Sequence, residues 1–193
     1  HQWMKDLADE MKLAISGSLI IKEKERYYNR LLFVEPGAKT SIYDKRHLFR
    51  MGEEDKHFSQ GNNQLLVNFK NNKIFPLICY DLRFPVWSRN THGYDLLCYH
   101  SNWPASRDEV WQSLLKARAI ENQCYAAGIN RVGSDGEGIK YIGNSQVIDP
   151  KGKIISYLGN EENVKTTVIK KQDLEDFRKK FPVWKDSDKF NIE

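Results

Sequence analysis

Cysteine is scarce and badly spaced for crosslinking. There are three in 193 residues, an odd number with no framework spacing, which argues against a disulfide-stapled secreted domain. No run approaches the ~18 consecutive apolar residues of a membrane span, and no secretory n-region and h-region opens the chain. Charge of one sign is not concentrated anywhere: 30 Lys and Arg mix with 26 Asp and Glu for a formal +4. With no basic block, neither nucleic acid nor an anionic membrane is an expected partner. Internal repeats and low-complexity linkers are also missing, as is an initiator methionine before His1-Gln-Trp. These absences leave a cytoplasmic α/β protein of one domain, residues 1–193, whose opening suggests a fragment.

What is present is an ordinary globular composition, 40% apolar and 29% charged, long enough to bury a core. Trp3, Met4, Leu7, Met11 and Ala14 recur at helical spacing. Strands are expected over Ile15–Ile21, where Gly17 and Ser18 leave room for close packing, and over Tyr27–Val34 and Thr40–Asp44. Arg46–Asn63 reads as a long loop, and loops of that length are usually functional or disordered. Two strands, Leu65–Phe69 and Ile74–Tyr80, flank an Asn71-Asn72 turn. A helix is expected from Pro85 to about Thr91, then a strand over Tyr94–His100. The strongest helix is Ser106–Gln123, with Ser106 as its cap and Val110, Leu114, Ala117 and Ile120 on one face. Cys124–Asn130 follows as a strand, Arg131–Lys140 as a glycine-rich loop, and Tyr141–Ile148 with Lys153–Leu158 as a hairpin. Val164–Lys170 reads as a last strand and Gln172–Lys180 as a short helix. The tail, 181–193, carries Phe181, Trp184 and Phe190, and is expected to pack on the domain or on a dimer partner.

The chain is organised around Lys73–Pro85, K-I-F-P-L-I-C-Y-D-L-R-F-P. Its apolar run reads as a strand buried on both faces that ends on Cys79. In open α/β sheets the working residues sit where the chain leaves a strand's carboxyl end. A thiol there is placed for nucleophilic attack, although a small core filler looks the same in isolation. A thiolate nucleophile needs a nearby base or cation, and acyl transfer needs donors for the oxyanion. Lys45, at the end of the third strand, and Glu54, in the long loop, supply charge, and the backbone N–H of Tyr80 is the usual second oxyanion donor. Taken singly, Lys45 would be a surface lysine and Glu54 a solvated loop charge. Arg83 either pairs with Asp81 or a helix carboxylate, or grips a substrate carboxylate. Cys98 and Cys124 sit in apolar strands and read as core. His47 and His57 have no second ligand cluster at zinc-like spacing, and Gly133–Gly138 lacks the Gly-Lys-Ser/Thr of a phosphate loop.

Four motifs carry a family resemblance, in order over about 110 residues. Y-D-K-R-H-L-F (Tyr43–Phe49) and I-C-Y-D-L-R-F-P (Ile78–Pro85) resemble the lysine and nucleophile motifs of the nitrilase superfamily, the carbon–nitrogen hydrolases. A-R-A-I-E-N-Q (Ala117–Gln123) is similar to the helix after the nucleophile, and Gly143–Gly152 matches G-x-S-x-V/I-x-x-P-x-G. With N-R-V-G-S-D-G and S-N-W-P, the chain most resembles the bacterial omega-amidase branch. The resemblance implies a four-layer αββα sandwich that pairs into a homodimer, for which the Ser106–Gln123 helix and the tail are the candidate contacts. It implies no metal or organic cofactor. It implies hydrolysis of a small ω-amide of a dicarboxylic acid, of the 2-oxoglutaramate or succinamate type, through a cysteine thioester. Cys79 is then the nucleophile, Lys45 and Tyr80 the oxyanion donors, Arg83 the carboxylate grip, and Trp103 a pocket wall. Glu54 matches the family's second glutamate, with Glu53 the alternative if the register shifts by one.

The family's first glutamate ends an early strand in a stretch resembling L-P-E-M-F, and no such stretch is present. Glu10, in an amphipathic helix, is a poor substitute. The expectation is therefore a domain lacking its N-terminal β-α-β segment. The alternatives from other classes are a non-catalytic or adaptor protein with the same fold, and acyl transfer from the thioester onto an amine.

Overall fold

The run Leu31-Leu32-Phe33-Val34 is buried at every position, so its strand must be covered on both faces. The computed structural model, which describes residues 1–192, supplies both covers. In chain order it runs α1 (Gln2–Met11), β1 (Ile15–Glu23), β2 (Arg26–Val34), β3 (Thr40–Asp44), α2 (Glu54–His57), β4 (Val67–Phe69), β5 (Asn72–Ile78) and β6 (Leu96–Ser101). It continues with α3 (Asp108–Asn122), β7 (Tyr125–Asn130), β8 (Val132–Ser134), β9 (Lys140–Ile142), β10 (Gln146–Ile148), β11 (Ile154–Tyr157) and α4 (Lys171–Lys180). Leu32 and Val34 of β2 pack with Met4 and Ala8 of α1. Leu31 and Phe33, on the other face, join the main core with Phe75, Leu77, Leu97 and Tyr99.

Two sheets result. β1-β2-β3 form an antiparallel sheet, and β11-β10-β7-β6-β5-β4 a mixed one whose β5, β6 and β7 are parallel. Contacts between the sheets include an edge-on Phe33–Phe69 pair and a hydrogen bond between Ser16 and His100. On the far side of the larger sheet lies α3, presenting Trp111, Leu115 and Ala119. The layers are thus helix, sheet, sheet, helix, a mixed α/β architecture. Gly128 of β7 sets how closely α3 approaches, since a Cβ there would stand 2.4 Å from Leu115 and 2.6 Å from Trp111. The parallel strands deliver the segments after Ile78, Ser101 and Asn130 to one sheet edge.

Several elements differ from expectation, each for a local reason. The β4–β5 turn is Lys70-Asn71, both at positive φ (45° and 64°), and Asn72 already pairs with Phe69. No helix follows Pro85. The helical turn comes earlier, as a 3-10 helix over Cys79–Arg83, and the Asn90 side chain bonds the Tyr94 backbone at both N–H and C=O, competing with helical bonding. In α3 Ser106 is not the cap, because it falls in a 3-10 turn before the helix begins at Asp108. The buried face of α3 is Trp111, Leu115, Arg118, Ala119 and Asn122. Burial of Arg118 is possible because it donates to Leu82 O and Glu121, which leaves Ile120 exposed. Similarly α1 buries Met4 and Ala8 and exposes Trp3 and Met11. At Gly17 a Cβ would meet open space rather than a close neighbour.

The glycine-rich stretch 131–140 is not all loop: from Val132 it enters the β8–β9 hairpin, with Asp135 accepting from the N–H groups of Glu137 and Ile139 at its turn. The long loop contains a 3-10 turn, Arg50–Gly52, and then α2. Val164–Lys170 forms no strand. After α4 the tail makes a 3-10 turn at Val183–Asp186, and Gln123 donates to Phe181 O at 2.7 Å. Glu193, the end of the expected tail, lies outside the described residues. Among the described residues no helix is long and apolar enough to cross a membrane.

Candidate active site

Cys79 begins where β5 ends, and its backbone lies in the left-handed region at φ 43°. A residue with a Cβ adopts that conformation at a cost of roughly 1–2 kcal/mol, so surrounding structure must hold it. Asp81 does so. It is fully buried, and its carboxylate accepts from Ile78 N–H (3.0 Å), His47 N–H (3.0 Å) and Tyr43 OH (2.7 Å). The His47 ring meets the same carboxylate through Nδ1 at 2.8 Å and stacks on Phe84. Tyr43 OH in turn accepts from Trp87 Nε1 and Arg46 N–H. The lysine motif and the nucleophile motif are therefore locked together through one carboxylate. Sequence reasoning singled out neither Asp81 nor Tyr43 as a builder of the site, although both sit inside the quoted motifs.

Lys45 leaves β3 into the same space and is 3% exposed. Its Nζ lies 2.5 Å from Glu54 Oε2. Glu54 also accepts from Asn29 Nδ2 (2.9 Å) and Phe49 N–H (2.7 Å), so both of its oxygens are engaged. Burial pushes the Glu54 carboxyl up, but the Lys45 charge and the three donors outweigh it and hold the group below its ordinary value. Glu53 turns away and pairs with Lys56. The Cys79 thiol is raised above its ordinary value, chiefly by burial, with the Lys45 charge acting in the opposite direction. Among the described residues, the Sγ hydrogen-bond partner is Asn102 O at 3.8 Å, and no carboxylate is bonded to it. Glu10 is exposed on α1, the outer helix layer.

Cys79, Lys45, Glu54, Tyr80, Arg83 and Trp103 all line one cavity of about 1040 Å³. Tyr80 is the second residue of the 3-10 turn, ahead of the first N–H that an intrahelical carbonyl can accept. Its ring is wedged edge-on between Phe49 and Phe84. Trp103 is almost fully buried, held through its N–H to Asn130 Oδ1 (2.7 Å) and through Nε1 to Arg107 O (2.8 Å). Arg83 stands over the Trp103 ring at 5.4 Å. It does not pair with Asp81, whose oxygens are taken, and it has no ion pair among the described residues.

Sequence reasoning missed Asn29, His100, Arg107, Arg131 and Tyr141 as lining residues. Asn29 and His100 arrive on strands, where facing is decided by register. Burial holds the His100 ring down at about 4, so it is neutral near pH 7. Arg131 immediately precedes the unexpected β8–β9 hairpin, and Tyr141 arrives on it. Among the described residues, no group of three or more His, Cys, Asp or Glu could hold a metal ion.

A carbon–nitrogen hydrolase family model matches residues 1–179. The chain is 48% identical over 191 residues to the omega-amidase YafV of Escherichia coli (strain K12), covering 98% of this chain and 75% of that protein. It is 35% identical over 190 residues to the 2-oxoglutaramate amidase of Bacillus subtilis (strain 168), covering 96% of this chain and 73% of that one. Among solved structures, XC1258 from Xanthomonas campestris matches at a TM-score of 0.98 and 40% identity, over 100% of this chain and 76% of that chain. That structure is described as a CN-hydrolase superfamily protein with an arsenic adduct in its active site.

Proposed function

The chain belongs to the carbon–nitrogen hydrolase family, and from that premise we propose that it cleaves the amide of a small ω-amide of a dicarboxylic acid through a thioester on Cys79. It is an amidase of the ω-amidase kind, as its relatives are. The observation that carries the thioester route is a thiol at a strand edge, facing the same cavity as a buried Lys45–Glu54 pair.

Sγ attacks the amide carbonyl, forming the S–C bond. The oxyanion is held by the Lys45 ammonium and the Tyr80 N–H. Because burial keeps the thiol protonated, a base must take its proton. That role falls to the first glutamate the family resemblance implies, since Glu54 has both oxygens committed. The C–N bond then breaks and ammonia leaves with that proton. Water attacks the thioester, releasing the acid and restoring the thiol. Glu54 holds Lys45 in place and completes the wall that positions substrate and water. Arg83, without a counter-charge, takes the distal carboxylate, and Trp103 shapes the pocket beside it. A substrate of the 2-oxoglutaramate or succinamate type fits those groups, and the residues named require no metal or organic cofactor.

We also propose a cytoplasmic homodimer, in which the outer side of α3 and the aromatic tail meet the second copy. The half-exposed Phe181 and Trp184 support that contact.

The test is intact mass spectrometry of the full-length protein quenched during turnover of succinamate. An acyl adduct on Cys79 is expected, and Cys79→Ala should lose both the adduct and ammonia release. Ammonia release surviving in Cys79→Ala would overturn the thioester route.

A further inference from the structure

The cavity is unbalanced in charge. Its lining contains Lys45, Arg83, Arg107 and Arg131 against one carboxylate, Glu54, which is neutralised by Lys45. The three guanidiniums are not equivalent. Arg131 lies over Tyr141 at 4.9 Å, donates to Ser134 O, and feels Asp135 nearby. Arg107 has no carboxylate partner and no side-chain hydrogen bond among the described residues. Its guanidinium is instead held over the face of Phe49 at 5.2 Å. A guanidinium seated on a ring by its face keeps its in-plane donors free for a bidentate partner.

The backbone of Arg107 is fixed as firmly as its side chain is unpaired. Its carbonyl accepts Trp103 Nε1, and its N–H donates to Pro104 O at 3.0 Å. Trp103 carries the Arg83 guanidinium on its ring and donates to the Arg107 carbonyl, so both residues border one buried indole, Arg83 by its side chain and Arg107 by its backbone. Phe49, beneath Arg107, donates its N–H to Glu54 and abuts Tyr80, the neighbour of the nucleophile. Arg107 is thus anchored to the same wall that holds Lys45 and Glu54. Arg83 is exposed and Arg107 half-buried at the cavity, and neither has a carboxylate partner among the described residues, so an anion entering there meets two uncommitted guanidiniums.

We propose that Arg107 is a specificity-determining residue that, with Arg83 in the same cavity lining, selects amides bearing a distal carboxylate. This rests on the ω-amidase reading. The carboxylate bridges the two guanidiniums while its amide end meets Cys79, so Arg107 acts on substrate binding and leaves the reacting atoms alone.

The experiment compares succinamate with butyramide, a neutral amide of equal chain length, on the full-length wild type and on Arg107→Gln and Arg107→Lys. For Arg107→Gln, kcat/KM on succinamate should fall about 10- to 100-fold, mainly through KM, as expected for a charged hydrogen-bonded pair. On butyramide it should change less than about twofold, which also shows that the variant is folded. Arg107→Lys, which keeps the charge and loses the fork, should recover part of the loss. Equal losses on both substrates would mean that Arg107 merely supports Phe49 and Glu54, and would overturn the proposal. So would an unchanged succinamate preference in Arg107→Gln. A wild type that prefers butyramide would overturn the ω-amidase reading itself, before any variant is made.

Discussion

At the scale of single residues, protonation and partners decide what each side chain can do. The two cysteines read as core behave as core: Cys98 is pushed up to about 12 by burial alone, and Cys124 is raised further by burial. Cys79 is the one that burial raises while Lys45 acts against it, at the edge of a cavity. Glu54 gives a pH signature. Its folded-state value lies below its ordinary 4.5, so the unfolded chain binds the proton more readily. Its contribution to stability is therefore complete above 4.5 and is lost as pH falls through the depressed value. Urea unfolding between pH 3 and 7 should show wild type and Glu54→Gln far apart at neutral pH and converging in acid. A gap that stays constant with pH would mean that the Lys45 contact contributes nothing through ionisation.

Elements were readable in the sequence where their pattern is local. Thr40–Asp44 is a strand at its expected bounds, and β1, β2 and α4 lie within two residues of theirs. Readings failed where a partner elsewhere decides the outcome. The buried face of α3 is set by what receives it, and Arg118 goes inward because Leu82 O and Glu121 await it. The same partner logic makes Gly128 a sharp test of α3 packing, since its missing Cβ is the space that Leu115 and Trp111 fill. Gly128→Ala should cost about 1–3 kcal/mol by overpacking, read as a lower urea midpoint with an unchanged m-value. Unaltered stability would mean that α3 packs less closely than described.

For the whole molecule, the layering of helix, sheet, sheet and helix buries β2 on both faces and brings the ends of β3, β5, β6 and β7 around one cavity. The outer surface carries its own prediction. Phe181 and Trp184 are each 56% exposed on the tail, an apolar feature suited to a second copy. Sedimentation at micromolar concentration should give a dimer for the wild type and a monomer for Trp184→Asp. A monomeric wild type would remove the homodimer from the proposal.

The sequence by itself determined the chemistry available at the sheet edge. An apolar strand must end somewhere, and ending it on Cys79, inside the quoted motif, places a thiol where α/β sheets work. Lys45 was legible only through the resemblance of the Tyr43–Phe49 motif to the family, since a lysine after a short strand, taken singly, reads as a surface charge. Tertiary structure alone decided which groups meet. It paired Lys45 with Glu54 while turning Glu53 to Lys56, two adjacent residues that spacing could not tell apart. It gave Asp81 to Ile78, His47 and Tyr43, and so left Arg83 unpaired in the cavity. It brought Arg107 beside Trp103 and Phe49. Hydrogen bonds and ion pairs act over a few ångströms of space, whatever the separation along the chain, so which carboxylates were already occupied became visible only in the folded molecule.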